Sequence, residues 1–286
     1  MERWLWTQVS DMGPVGRIRP AMAYDEARDR VVVFGGRIQN PPPVTELKAS
    51  DTWEWDGDSW TQVADSGPSG RSDSAMAYDA RRKRVVLFGG WADTADLKDT
   101  WEWDGALWTQ IEDSGPVTDR GYAMAFDRVN GYILLYINDG TWAWDGSLWT
   151  QLTEQSALGL NGMVAFDDAH GYVLLVAEAM SQGTAIAPST TWRWDGSEWK
   201  QLSDMGPSCI VGNATLASNG ERVALFVGNT RTTWEWNGTH WVQRQDIGPS
   251  PRVNPMMIGD TTRQQFMLFG GGDYSADTWA LSIKQL

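Results

Sequence analysis

Few residues of this chain have the types and positions that catalysis or metal binding requires. The chain has two histidines, His170 and His240, and a single cysteine, Cys209. His170 stands in a polar turn and His240 follows an Asn-Gly pair, so both are expected on the face opposite the longest loops. A zinc site or a Ser-His-Asp triad cannot be assembled from side chains so placed. Cys209 has no histidine beside it and is expected to be a buried spare thiol, so we predict no transition metal and no cofactor; a hard cation such as calcium, held by channel carbonyls and carboxylates, is left open.

Two sets of polar residues recur at fixed positions before short Ala-Met-like segments. Arginine occupies the first position, in Arg17, Arg71 and Arg252. The second position, two residues later, is expected to form a polar ring around a channel. Its members are Arg19, Asp73, Asn161, Asn213 and Asn254. Ligand binding by the arginines has a structural alternative, because guanidinium groups in loops also bond backbone carbonyls.

A third group lies in the segments that depart from the repeats described below. Trp91 is one of two tryptophans outside the repeat positions, the other being Trp4. We expect Trp91 to stack on a ligand, since it follows a Gly-Gly pair and is not required for packing. Nearby candidates for ligand contact are Asp93, Asp273 and Tyr274. A carboxylate among Asp73, Asp93 and Asp273 could also act as an acid or base beside an arginine that holds an anionic substrate.

The elements that position these residues are indicated by internal repetition. One template, W-x-W-[D/N]-G-x-x-W-x-Q, occurs five times. A sixth copy is split between the two ends of the chain, with its first half at Trp279 and its second half at Trp6-Thr7-Gln8. The first tryptophans lie 41 to 50 residues apart, which fits one four-stranded propeller blade per repeat. They are Trp53, Trp101, Trp142, Trp192, Trp234 and Trp279.

Each repeat divides into four predicted strands. A Gly-Pro turn precedes a short strand a, a polar turn follows, and a continuous apolar run such as VVVFGG forms strand b. Continuous runs are typical of strands covered on both faces. The W-x-W segment is strand c, and an Asp-Gly or Asn-Gly hairpin leads to strand d. The hairpin residues are interpreted as structural because the turn alone explains their types. They are Asp56, Asp104, Asp145, Asp195 and Asn237.

The Gly-Gly pair at the end of strand b, followed by the tryptophan strand, resembles the kelch repeat of bacterial type. The pair occurs at Gly35-Gly36, Gly89-Gly90 and Gly270-Gly271, whereas the third, fourth and fifth repeats end strand b in YINDG, VAEAM and FVGNT. The resemblance covers essentially the whole chain. It implies an all-β fold, a six-bladed β-propeller of four-stranded blades with a central funnel. Proteins with such propellers include lectin-like modules, protein-binding modules and enzymes, so the resemblance does not choose a function.

The split sixth copy predicts how the ring closes. Residues 3–9 are expected to pair as strand d with the strand around Trp279, which leaves no unpaired edge. We therefore predict one domain over residues 1–286. Its approximate blades are 13–62, 67–110, 115–151, 157–201, 206–243 and 248–286, the last completed by strand 3–9. The connections between strands b and c are longest in the first (Arg37 to Ser50) and fourth (Ala177 to Thr190) repeats, so two long loops should face each other across the funnel.

Composition limits the partners. The formal net charge is −14, which disfavours nucleic acid and anionic membranes. No stretch reads as a signal peptide or a membrane span, so we expect a cytoplasmic protein, or a secreted one whose signal peptide has been removed. A monomer is expected, and the ligand is expected to be a carbohydrate or a protein segment.

Three functions remain open from the sequence. The first is a binding module that uses the funnel face. The second is a non-metal enzyme acting on sugars, such as an epimerase, a mutarotase or a lyase; a strongly perturbed carboxylate in a deep funnel would favour it. The third is an interaction scaffold without a small ligand.

Overall fold

The structure is a computed structural model that describes residues 2–39, 46–93, 95–117, 122–137, 140–154, 161–178, 187–245 and 247–285. The chain begins with strand β1 (Glu2–Ser10). The first blade and its long connection contain β2 (Arg17–Ile18), β3 (Ala21–Asp25), β4 (Arg30–Phe34), β5 (Arg37–Gln39), β6 (Glu46–Lys48), β7 (Thr52–Trp55) and β8 (Trp60–Ala64). The second blade contains β9 (Ala75–Asp79), β10 (Arg84–Trp91), β11 (Asp96–Trp103) and β12 (Trp108–Glu112).

The remaining blades repeat the four-strand pattern. The third contains β13 (Ala123–Asp127), β14 (Tyr132–Ile137), β15 (Gly140–Trp144) and β16 (Trp149–Thr153). The fourth contains β17 (Gly162–Asp167), β18 (Tyr172–Ala177), β19 (Thr190–Trp194) and β20 (Trp199–Ser203). The fifth contains a 3₁₀ turn (Val211–Asn213), β21 (Ala214–Ser218), β22 (Val223–Val227), β23 (Thr232–Trp236) and β24 (Trp241–Gln245). The sixth contains β25 (Met256–Asp260), β26 (Gln265–Phe269) and β27 (Thr278–Gln285).

These strands form six four-stranded antiparallel sheets, and the sixth sheet is completed by β1. Each innermost strand contacts the innermost strand of the next sheet, and β25 contacts β3. The contacts therefore run round a complete ring, and the protein is an all-β, six-bladed propeller as the repeats predict. No helix among the described residues is long and apolar enough to cross a bilayer.

The N-terminal strand closes the ring in the predicted register. Trp6 lies opposite Leu281 and Gln8 lies opposite Trp279, in a strand that extends from Glu2 to Ser10 rather than from 3 to 9. Trp4, which lies outside the repeat positions, is buried and stacks on Phe266 at a centroid distance of 6.2 Å. The sixth blade has Leu281 where the others have a second tryptophan, and Trp4 adds aromatic volume to the same cluster.

One hydrogen bond recurs at every junction between blades. The tryptophan that begins strand d donates its indole N–H to the threonine that precedes the first tryptophan of the preceding blade. All six threonines are fully buried, so each hydroxyl satisfies an indole donor that would otherwise be orphaned. The pairs, at 2.8–2.9 Å, are Trp60–Thr278, Trp108–Thr52, Trp149–Thr100, Trp199–Thr141, Trp241–Thr191 and Trp6–Thr233.

The loops predicted to be long and irregular have regular structure where they are described. In the first blade, β5 and β6 form a hairpin that pairs with β2 in a separate three-stranded sheet. In the second blade, the predicted loop is replaced by longer strands: β10 and β11 have eight residues each, with a register shift between Phe88 and Gly90. The long loop of the fourth blade falls largely on residues 179–186, outside the described residues.

Candidate functional site

A cavity of about 470 Å³ lies inside the ring, lined by the innermost strand of every blade. Its volume is within the range of pockets that hold small organic ligands. Along its middle the wall is apolar, because strand a alternates small alanines with larger side chains. Methionine contributes from five of the six blades. The methionines are Met22, Met76, Met124, Met163, Met256 and Met257.

The end of the cavity at which strands a begin carries a polar rim. Arg19 donates from Nη1 to the carboxylate of Asp73 and from Nε to Oδ1 of Asn254 at 3.0 Å. All three residues have left-handed backbone, with φ of 53°, 62° and 49°. Left-handed backbone in a residue other than glycine costs roughly 1–3 kcal/mol, and such residues cluster at functional sites. The rim is therefore a strained group of donors and acceptors in a fixed arrangement.

Backbone hydrogen bonds hold this rim in place. The amide of Asp73 donates to the carbonyl of Arg19 at 3.2 Å, and the amide of Asn254 donates to the carbonyl of Gly212 at 2.6 Å. Asn161 also lies on the cavity wall, with its side chain exposed. Four of the five predicted ring positions, all but Asn213, are thus together at the mouth.

Two further polar groups complete the mouth. Glu178 lines the cavity and its carboxylate accepts from the amide of Val211. Burial raises the pKa of Tyr122 to about 12, and the carboxylate of Asp96 adds to the shift.

Other predicted residues lie outside the cavity lining. Asn213 belongs to the 3₁₀ turn, where its carbonyl accepts from the amide of Gly228 at 2.7 Å. Asp93 and Asp273 are exposed. Tyr274 has left-handed backbone and donates its hydroxyl to Glu46 of the β5–β6 hairpin. None of these four side chains lines the cavity.

Trp91 is placed on the expected face but beside the cavity. Its backbone pairs with Ser72, the residue before Asp73, through hydrogen bonds of 2.7 and 3.1 Å. Its ring is covered by the ammonium group of Lys48, which lies 4.8 Å from the ring centroid. Trp91 therefore packs against the β5–β6 hairpin by a cation–π contact.

The three recurring arginines have the structural environment that the sequence offered as the alternative to ligand binding. Arg17, Arg71 and Arg252 are buried and do not line the cavity. Arg71 uses all five N–H donors on Ser69, on the carbonyl of Gly89 and on both carboxylate oxygens of Asp99. No donor of Arg71 remains for a ligand.

The same unit occurs in the first and sixth blades. Arg17 binds the carbonyl of Gly35 and the carboxylate of Asp51. Arg252 likewise binds the carbonyl of Gly270 and the carboxylate of Asp277. The Gly-Gly pair is required there because its backbone is left-handed, with φ of 68° at Gly35, and because it approaches the next loop closely. Arginine, Gly-Gly and aspartate therefore occur together in three blades and are absent together from the other three.

The opposite end of the cavity carries a polar floor that the sequence analysis missed. Arg128 pairs with Glu26 and, at 3.0 Å, with Asp168, which links three blades across the channel. Ser218 donates to Asp168 at 3.2 Å. Glu26, Arg128 and Asp168 each follow directly on the turn aspartate that ends strand a. Alignment on that aspartate would have found them.

The floor contains the most unusual carboxyl group of the cavity. Burial raises the pKa of Asp168, and the opposing effects of Arg128 and of the Ser218 hydrogen bond do not cancel it. Glu26 and Asp167 add to the rise. Burial is thus the main cause of the raised pKa of Asp168, and the neighbouring Arg128 offsets it only in part.

The histidines and the cysteine stay outside the cavity lining. His170 contacts Asp167 at 2.8 Å in the turn between strands a and b, and His240 bonds to Asn237 in the hairpin. Burial raises the pKa of Cys209 to about 11, so the thiol is a poor nucleophile at neutral pH. In the described part of the chain, no group of three or more His, Cys, Asp or Glu residues could hold a metal ion.

Two comparisons with known proteins found no match. A scan against models of protein families found no match, and a search of curated proteins found none either. The similarity to kelch repeats consequently depends on the repeated residues and on the propeller itself.

Proposed function

We propose that this protein is a binding module of the kelch-propeller type that holds its ligand in the central cavity, entered from the rim of Arg19, Asp73 and Asn254. The observation that supports the proposal is this strained group of hydrogen-bonding side chains over a cavity of about 470 Å³. The ligand is a small molecule or a side chain that projects from a protein surface. A carbohydrate stacked on Trp91 receives less support, because Lys48 covers that ring and Trp91 lies beside the cavity.

The proposal is tested by calorimetric titration of three probe sets: neutral oligosaccharides, short peptides and small amines. Any true ligand should bind roughly tenfold more weakly to Asp73→Ala, because a satisfied polar contact in a partly buried site contributes about 1–2 kcal/mol. Trp91→Ala is the matched control on the same face and should leave affinity nearly unchanged. A ligand that depends on Trp91 and ignores Asp73 would contradict the proposal.

A second candidate is a sugar-acting enzyme, and the raised pKa of Asp168 favours it specifically. A partly buried carboxyl group with a raised pKa inside a cavity is a candidate general acid. Turnover of a bound sugar that is abolished in Asp168→Asn, with binding retained, would support this alternative. Binding of a sugar without turnover would contradict the enzyme and support the binding module.

A further inference from the structure

The charges on the cavity wall are not balanced. Among the described residues, the lining contains two cationic side chains, Arg19 and Arg128, and four acidic ones. The acidic residues are Glu26, Asp73, Asp168 and Glu178. With all six ionised, the cavity carries an excess of two negative charges. One excess charge lies at the rim and one at the floor.

The arrangement at the floor sharpens this imbalance. Arg128 is shared by the carboxylates of Glu26 and Asp168, so one guanidinium group faces two anions. Among the described residues, the other side chain bonded to Asp168 is the neutral hydroxyl of Ser218. A second positive charge is the group that complements this floor, whereas an anion would meet an already negative site.

Between the two ends, the wall suits an aliphatic group. Methionine and alanine side chains line this middle section, with Ala125 and Ala165 on neighbouring strands. Methionine side chains are flexible and adapt to irregular apolar shapes. A ligand with many hydroxyl groups would leave them without hydrogen-bond partners here, which weakens its binding.

We propose that the cavity binds a protonated amine on an aliphatic stem, with the ammonium group at the floor between Glu26 and Asp168 and the stem along the methionines. This inference rests on the proposed function and specifies the ligand class of the same site. The amine can come from a free alkylamine or from a lysine on a partner segment that itself enters the cavity.

Calorimetry with three linear probes of equal length tests the charge. The probes are octamethylenediamine, the corresponding glycol and suberate, which are dicationic, neutral and dianionic. The diamine should bind at least about tenfold more tightly than the glycol, and suberate should bind more weakly than both. Equal binding of the diamine and the glycol, or tighter binding of suberate, would overturn the inference.

Three variants with opposite expected signs test the position of the ammonium group. Asp168→Asn and Glu26→Gln should each weaken diamine binding about tenfold, and Arg128→Met should strengthen it by a similar factor, because it removes the competing internal cation. Asp58→Asn removes the same charge from an exposed hairpin and is the control. A loss of affinity in Arg128→Met, or equal effects of Asp168→Asn and Asp58→Asn, would contradict the assignment.

A peptide with a single lysine, and the same peptide with acetyl-lysine, separate the two sources. Preference for the lysine peptide over free diamine assigns the ligand to a protein, and the reverse preference assigns it to a small molecule. If only neutral sugars bind at the rim, the inference is wrong while the proposed function stands. If no probe binds in the cavity, both are wrong.

Discussion

Residues of one type have opposite roles in this propeller according to their surroundings. Arg71 is buried, with 1% of its side chain exposed, and is bonded throughout to its own blade and loop. Arg19 is 38% exposed and lines the cavity. The sequence left the role of Arg71 open between ligand binding and bonds to loop carbonyls, whereas Arg19 was expected in the polar ring around the channel.

Substitution should separate these two arginines. Arg71→Met should lower the free energy of unfolding by about 3–5 kcal/mol, because it leaves the half-buried carboxylate of Asp99 without its cation. Arg19→Met breaks a more exposed pair and should cost at most about 1 kcal/mol. Chemical denaturation measures both, and similar losses in the two variants would contradict the division between a structural and a cavity-lining arginine.

The aspartates that face the buried arginines predict an acid sensitivity. Burial raises the pKa of Asp277, but hydrogen bonds from Arg252, Ser275 and Trp279 outweigh it and lower the pKa from 3.8 to about 2. A carboxyl group whose pKa is lower in the folded state stabilises the protein at every pH above its unfolded pKa. That stabilisation is lost as the pH falls towards the folded pKa. Unfolding free energy should therefore decrease between pH 3.8 and about 2, and less steeply in Arg252→Met. Identical slopes in the two proteins would contradict this origin.

At the scale of elements, the repeated bond between tryptophan and threonine joins each blade to the next. The pattern was visible in the sequence as a threonine before every W-x-W segment, but its role was not, because the two partners lie in different repeats. Strand order and hairpin positions followed from the spacing of tryptophans and Asp-Gly pairs. The β5–β6 hairpin did not, since its strands are short and lack the repeat pattern.

The junction bond can be tested at one site. Thr100→Val keeps the shape of the side chain but leaves the indole N–H of Trp149 unsatisfied in a buried junction. We expect a loss of about 1–3 kcal/mol of stability. Thr150→Val, at an exposed position in the neighbouring strand d, is the control and should be nearly neutral. Equal stability of the two variants would show that the bond contributes nothing.

Closure by β1 makes a second prediction at this scale. Deletion of residues 2–10 removes the partner of β27 and uncovers the cluster that contains Phe266 and Leu281. The exposed strand edge and apolar surface should lower the melting temperature and promote aggregation. Unchanged melting of the truncated protein would contradict this topology.

At the scale of the molecule, the channel is the feature to which all six blades contribute. The sequence predicted the ring and most of the rim, because strand a and its entrance recur in register. It did not predict the floor: Glu26, Arg128 and Asp168 share the position after the turn aspartate, but they differ in type, and their contact arises only when the ring closes. The organisation of residues 1–286 as one domain stays a prediction, as does the identity of the ligand.

The central claim is that ligand binds within this channel, and methionine methyl NMR tests it most directly. With octamethylenediamine as the probe, resonances of Met124, Met163 and Met256 should shift, because these half-buried residues line the cavity. Met12 and Met205, exposed by 77% and 73% outside it, should not shift. Shifts confined to Met12 and Met205, or no shift in the channel at saturating probe, would contradict the claim.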